Sequence, residues 1–447
     1  MSEDGTVSEA EFEASQRAAL AQFSAPTREW FTAAFPAPTP AQVGAWESIG
    51  AGRNALVVAP TGSGKTLSAF LWAIDRLLTT EPAQEQHRCR VLYVSPLKAL
   101  AVDVERNLRA PLVGIRQTGI RLGVTLPEIG VGIRSGDTPA ADRRRLAQRP
   151  PDILITTPES LFLLLTSAAR ESLRGVETVI LDEVHAVAGT KRGAHLALSL
   201  ERLDELIGRP AQRIGLSATV RPVEEVARFL GGSQPVDVVA PASTKQWDLK
   251  VVVPVADMTD PGATAAPADD PGPAQSPDLA HDDFFDAPSP AGDRAATSLW
   301  PHVEEAVADL VESHRSTIVF ANSRRLAERL TARLNDIAAE RAELGHPDHA
   351  HSAAQSTGAG QPNGTPAQVM AQSGSSTGAA PIMAKAHHGS VSKEQRALIE
   401  EDLKSGRLPA VVATSSLELG IDMGSVDLVI QIESPPSVAS ALQRVGR

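Results

Sequence analysis

The decapeptide VVAPTGSGKT, Val57 to Thr66, sets glycines, a lysine and a threonine directly after an apolar run. Gly62 and Gly64, with Thr61 and Ser63 beside them, let the turn bend until its N–H groups point inward, an arrangement that cradles phosphate oxygens. A helix starting near Lys65 adds positive potential at its N-terminus. Lys65 can then reach the β- and γ-phosphates of a nucleotide, and the Thr66 hydroxyl can ligate Mg²⁺. The loop departs from the usual pattern at Ala59, where glycine is standard. A second stretch, TVILDEVHAV, ends its apolar run in Asp182, Glu183 and His185. A strand covered on both faces reads as such a run, and open α/β sheets bind ligands beyond the carboxyl ends of their strands. Asp182 at that end suits the metal, and Glu183 suits polarising the attacking water as a general base. The joint chemistry is nucleoside triphosphate hydrolysis.

These groups need a scaffold, and the chain supplies alternating strand and helix patterns. ALVVAP, RVLYVSP, DILITTP, TVILDE and RIGLSAT read as one series of strands, and LKVVVPV, STIVFAN, AVVATS and DLVIQI as a second. Helical stretches such as KTLSAFLWAIDRLL and SRRLAERLTARLNDI lie between them. Such alternation implies crossovers and parallel sheets. The predicted fold is α/β with two domains, 25–240 and 245–447, divided near GGSQPVDVVAPASTKQ. Residues 1–24 are expected to be a disordered tail. The Pro/Asp/Ala-rich stretch 256–299 and the Gly/Ser/Gln-rich stretch 345–380 are expected to be disordered insertions in the second domain.

Composition narrows the function classes. One cysteine, Cys89, excludes a disulfide framework and a thiolate zinc cluster. The opening residues are acidic and lack a signal-peptide core, and the longest apolar run, SLFLLLTSAA, is too short to span a bilayer. A soluble, cytoplasmic protein without a membrane partner is expected. The net charge of −12 is unevenly placed: nine Asp and one Arg between Ala256 and Leu299 account for −8, leaving −4 elsewhere. A basic groove for nucleic acid outside that segment therefore stays open.

APTGSGKT, DEVH and SAT (Ser217 to Thr219), in that order, resemble superfamily-two helicases of the DEAD/DEAH type. PTPAQ, VSPLKALAVDVERNL, TTPESLFLLL, DEVHAVAGTKRGAHLALSLERL, SATVRP and HHGSVSKEQR resemble the large helicase-related (Lhr) family in particular. The resemblance covers most of residues 28–447 and implies two RecA-like domains in tandem, with ATP and Mg²⁺ as cofactors. It assigns Gln42 to the adenine edge, which favours ATP over GTP because an amide can both donate and accept. It assigns His185 to coupling between the nucleotide and Ser217 and Thr219, although a histidine there equally suits a structural role.

The nucleic-acid track implied by the resemblance uses Ser95, Pro96, Lys98, Arg134, Ser135, Gly136, Thr156 and Thr157 in the first domain. In the second it uses Asn322, Ser323, Arg324, His388, Gly389, Ser390, Thr414 and Ser415. Hydroxyls, loop amides and cations of this kind position a phosphate backbone without reading sequence. The run Arg143–Arg144–Arg145 reads as a solvated helix face. Gly420 and Asp422 in SSLELGID are implied to approach nucleotide, Gln443 to sit near the γ-phosphate, and Arg447 to be an arginine finger. The family continues beyond this last motif into a winged-helix domain, so the chain is expected to be a fragment. The implied activity is ATP-driven 3′-to-5′ movement on single-stranded DNA, with unwinding of DNA or RNA–DNA duplexes in repair. Alternatives are an RNA helicase that parts strands locally and a nucleotide-gated clamp. No protein partner is read from the sequence.

Overall fold

The computed structural model describes residues 9–60, 62–81, 83–242, 248–255, 299–344, 382–418 and 426–446. By contacts the chain divides into two units. One is Met1–Lys245 with Leu417–Asp422 and Pro435–Arg447, and the other is Gln246–Ser416 with Met423–Ser434. The two C-terminal segments thus group with the first unit, whereas the sequence reading put all of 245–447 in the second domain. A buried ion pair between Glu418 and Arg444, 3.4 Å, joins those segments to each other. Gln443 contacts His185.

The first unit is built on β1 (Asn54–Val58), β2 (Val91–Val94), β3 (Val131–Arg134), β4 (Ile153–Thr156), β5 (Thr178–Leu181), β6 (Gln212–Ser217) and β7 (Val236–Val239). They form one sheet in the order β3-β4-β2-β5-β6-β1-β7, parallel at every pairing. Side chains alternate across it, because successive residues of a strand face opposite sides. Ala55, Val57, Tyr93 and Ile180 enter a core shared with Phe31, Trp46 and Phe70. Leu56, Val58, Leu92 and Leu181 enter the other, shared with Leu161, Leu200 and Leu230. With both faces covered, the central strands can be almost wholly apolar, as their sequences are.

The second unit carries β8 (Thr317–Phe320), β9 (Ala384–His387), β10 (Ala410–Ala413) and β11 (Leu428–Gln431), ordered β11-β8-β10-β9 and again parallel. Helices Trp300–Glu312 and Arg324–Leu344 contribute Val311, Leu330 and Leu334 to its core. Among the described residues no helix is long and apolar enough to cross a membrane.

Three expectations change. The supposed strand LKVVVPV is not one: residues 248–255 hold no strand, and Leu249, Val251 and Val252 are exposed. An apolar run becomes a strand only where a sheet edge pairs with it. Strands β3, β7 and β9 were not read, since Gly132, Asp237 and Lys385 interrupt their apolar pattern. The supposed tail 1–24 contains the helix Glu9–Ala21, with Ala19 and Phe23 buried in the core. Most of both supposed insertions lies outside the described residues.

Phe23 packs edge-on against Trp46 at 4.8 Å and Trp72 at 5.7 Å between ring centroids. Phe23→Ala should destabilise the first unit by about 3–5 kcal/mol, read from denaturant unfolding followed by tryptophan fluorescence. A change below about 1 kcal/mol would return this segment to the status of a tail.

Candidate functional site

Strand β1 hands the chain to the glycine-rich loop at a fixed point, where the Ala59 N–H donates to Ser217 O at 3.1 Å. Gly62 (φ +83°) and Gly64 (φ +77°) then occupy the left-handed region, which side chains disfavour. A Cβ on Gly64 would also lie 2.5 Å from Gln42 Nε2. The helix Lys65–Thr79 follows. Lys65 is buried, and its Nζ donates to Ala59 O at 3.2 Å, folding the ammonium back over the loop. Thr66 is half-buried in the first turn, the Ser63 hydroxyl is buried with no hydrogen-bond partner among the described residues, and Thr61 lies outside them.

Gln42 supports this loop directly. Thr39 and Gln42 form a reciprocal capping box at the start of the helix Pro40–Gly50, with the Thr39 N–H donating to Gln42 Oε1 at 2.9 Å. The Thr39 hydroxyl donates to Ser63 O at 2.8 Å and Gln42 Nε2 to Gly64 O at 3.4 Å. The Gln42 amide keeps one donor and one acceptor position for a further partner.

The acids arrive from β5. Strand β6 lies between β1 and β5, pairing Ser217 with Val58 and Gly215 with Leu181. Asp182 and Glu183 are both buried. Asp182 Oδ1 accepts from the Glu183 N–H at 2.9 Å and Oδ2 from the Tyr93 hydroxyl. Burial, then the Glu183 charge, pushes the Asp182 carboxyl up to about 6, against the Tyr93 hydrogen bond and the Lys65 charge. Glu183 holds a left-handed backbone (φ +45°), and its Oε2 has no hydrogen-bond partner among the described residues. Backbone strain of this kind costs on the order of 1–3 kcal/mol and gathers at functional sites.

His185 links this turn to β6. Its Nδ1 accepts from the Ala218 N–H at 3.1 Å and lies 3.1 Å from Ser217 Oγ. Burial, then Lys65, lowers the imidazole to about 4. With Nδ1 accepting, the neutral ring carries its proton on Nε2, which faces Glu183 Oε2 at 3.5 Å. Thr219 is exposed. An orphaned carboxylate oxygen, a carboxyl raised by burial and a cradle open to backbone N–H groups fit a magnesium-bound triphosphate. Asp182 and Thr66 are the hard oxygen donors that would hold the cation. Gly420, Asp422 and Arg447 lie outside the described residues.

The carboxyl ends of β2, β4 and β3, adjacent in the sheet, bring together the residues expected to contact nucleic acid in this unit. Several of their hydroxyls serve the fold. Ser95 Oγ donates to Leu97 O at 3.0 Å, Thr156 Oγ1 donates to Arg134 O at 2.7 Å, and Thr157 caps the Ser160 N–H at 3.4 Å. Ser135 is buried with its N–H on Thr138 Oγ1 at 2.9 Å, and Pro96 is buried. The exposed groups are Lys98, paired with Asp137 at 2.6 Å, and Gly136 beside it. Arg134 is half-buried, lowered in pKa first by burial and then by Arg143. Arg143 is not on a free helix face as expected: it donates to Thr138 O and Gly136 O, each at 2.7 Å, closing the RSGD loop.

In the second unit, Asn322, Ser323, Arg324, Gly389, Ser390 and Ser415 are exposed beyond β8, β9 and β10. Asn322 donates to Ser434 O at 2.7 Å, and Ser323 caps the Leu326 N–H at 3.2 Å. His388 is buried 3.1 Å from Glu328, and the Thr414 N–H donates to His387 O at 3.2 Å. The sequence reading missed Tyr93, Thr39 and the ion pair of Glu159 with Arg192, and took Arg143 for a solvated cation. Two of these carry a signal: Tyr93, a phenol inside a buried strand that must find a polar partner, and Thr39, which opens a Thr-x-x-Gln capping pattern with Gln42.

The description DEAD/DEAH box helicase matches residues 39–227, and helicase conserved C-terminal domain matches 368–447. The chain is 62% identical over 429 residues to the Lhr helicase/probable uracil glycosylase of Mycolicibacterium smegmatis, covering 96% of this chain and 26% of that protein. It is 53% identical over 432 residues to the Lhr helicase/uracil glycosylase of Escherichia coli, covering 95% and 26%. The chain thus spans about a quarter of the length of these relatives. A solved structure of Mycobacterium smegmatis helicase Lhr bound to ssDNA and AMP-PNP superposes with a TM-score of 0.73 at 58% identity, covering 96% of this chain and 46% of that one. The expected α/β fold with two RecA-like domains holds. With both helicase regions matched in order and the Lhr helicases similar over nearly all of its length, the chain belongs to the Lhr family of superfamily-two DEAD/DEAH-box helicases.

Proposed function

We propose that this chain is an ATP-driven nucleic-acid motor, hydrolysing ATP to move 3′-to-5′ on single-stranded DNA and to open DNA or RNA–DNA duplexes in repair. The observation that carries the reading is the convergence of Lys65, Asp182 and Glu183 at one sheet edge, with His185 joining them to Ser217 and Ala218. The loop N–H groups and Lys65 bind the phosphates. Asp182 and Thr66 would hold Mg²⁺, which would supply neutralisation of charge on the transferring phosphoryl group. Glu183 orients and deprotonates the attacking water through its unpartnered oxygen. Gln42 supports the loop and offers its remaining amide positions to adenine. Gly420, Asp422 and Arg447 complete the nucleotide contacts, with Arg447 stabilising developing charge. His185, with Gln443 at its Nε2, relays the nucleotide state to β6. Lys98 and the RSGD loop grip the strand backbone, and Asn322, Arg324, Ser390 and Ser415 are the strand-contacting groups of the second unit. The M. smegmatis structure, bound to ssDNA and AMP-PNP, supports DNA as the strand.

Lys65→Ala should abolish both binding of a fluorescent ATP analogue and phosphate release. Glu183→Gln should keep binding and slow phosphate release by about 10²–10⁴-fold; unchanged turnover would remove Glu183 as the base. Turnover on single-stranded DNA should rise with strand length, as stepping requires, whereas length-independent stimulation favouring RNA would support local strand separation instead.

His185, lowered to about 4 from 6.5, should stay neutral in an NMR titration down to about pH 5. Because its folded pKa lies below the unfolded one, it contributes no pH-dependent penalty above 6.5 and costs stability as pH falls from there toward 4. An imidazole midpoint near 6.5 would mean that burial and the Lys65 charge do not hold the ring neutral.

A further inference from the structure

Tyr93 is the chain's only tyrosine and sits fully buried in β2, between Leu92 and Val94. Strand β2 pairs with β5 so that Tyr93 faces Ile180 and Val94 faces Leu181, and the Asp182 N–H continues the ladder onto Val94 O at 3.0 Å. This register brings the phenol hydroxyl onto Asp182 Oδ2. The ring is clamped as well: it stacks on Phe70 with centroids 4.9 Å apart and planes at 29°. Phe70 belongs to the helix that Lys65 begins. One side chain therefore ties the phosphate-loop helix to the acid turn.

We propose that Tyr93 is the positioning residue for Asp182, its hydroxyl fixing the carboxylate in the orientation in which it would hold magnesium. The inference rests on the reading of Asp182 as a metal-holding group. Both Asp182 oxygens already accept one protein hydrogen bond, from the Glu183 N–H and from Tyr93. Each oxygen has a second lone pair, and with both first positions occupied the carboxylate cannot turn about its bond without breaking one of them. Hydrogen-bonding partners of metal ligands typically matter by about 10–100-fold in metal affinity. A residue needed only for packing would be replaced without loss by phenylalanine, which keeps the ring and its stack on Phe70.

The test is Tyr93→Phe in the full chain, with binding of a fluorescent ATP analogue titrated against free Mg²⁺ and repeated in EDTA. The variant should match the wild type in EDTA and need about tenfold more Mg²⁺ for half-maximal tightening. A shared Mg²⁺ midpoint overturns the role of Tyr93. Equal weakening in EDTA and in Mg²⁺ overturns it too, by showing a packing defect in the phosphate loop. If wild-type binding itself ignores Mg²⁺, the assignment of Asp182 fails instead, which separates the two readings.

Discussion

The site depends on the parallel ladder that runs from β1 through β6 and β5 to β2. Three backbone bonds at its carboxyl end fix where each strand stops: Ala59 N–H to Ser217 O, Val184 N–H to Leu216 O and Asp182 N–H to Val94 O, at 3.1, 3.0 and 3.0 Å. A parallel sheet sends all its strand ends to one edge, so residues far apart in sequence meet there. The glycine-rich loop, the acid turn and the SAT loop are brought together by this register.

Low dielectric gives that edge its chemistry. Removing Asp182 from water disfavours its charged form, while the Lys65 ammonium and the Tyr93 hydroxyl favour it. The same burial keeps His185 neutral, so the ring can accept from Ala218 and still present a proton at Nε2. Glu183 is held in a strained backbone with one oxygen unpartnered, so the fold tolerates strain at the residue best placed to act on water.

The edge proposed to bind the strand follows a different logic. Its short polar side chains mostly shape loops: Thr156 holds Arg134 O, Thr157 caps a helix, and Arg143 closes the loop that Arg134 opens. Rigid loops then present backbone groups and a few cations outward, which suits recognition of a repeating phosphate backbone over recognition of particular bases.

The strand–loop–helix of residues 54–79 and the apolar run ending in two acids were legible from the amino acids, because those signals are local: glycine positions, a helix start and a buried strand. The C-terminal helicase elements were legible only by resemblance, and part of them lies outside the described residues. Tertiary structure alone decided the rest. Gln42, read from the sequence only as a recognition amide, also supports the phosphate loop, and Arg143 turned from a solvated cation into a loop clasp. An acidic opening segment became a packed helix, and Val251 to Val253, apolar enough for a strand, stayed exposed. Each of these outcomes hangs on a partner more than ten residues away or on a missing sheet edge, or, for Arg143, on how a nearby loop turns back. A one-dimensional pattern carries propensity and period, while pairing, register and burial belong to the folded chain.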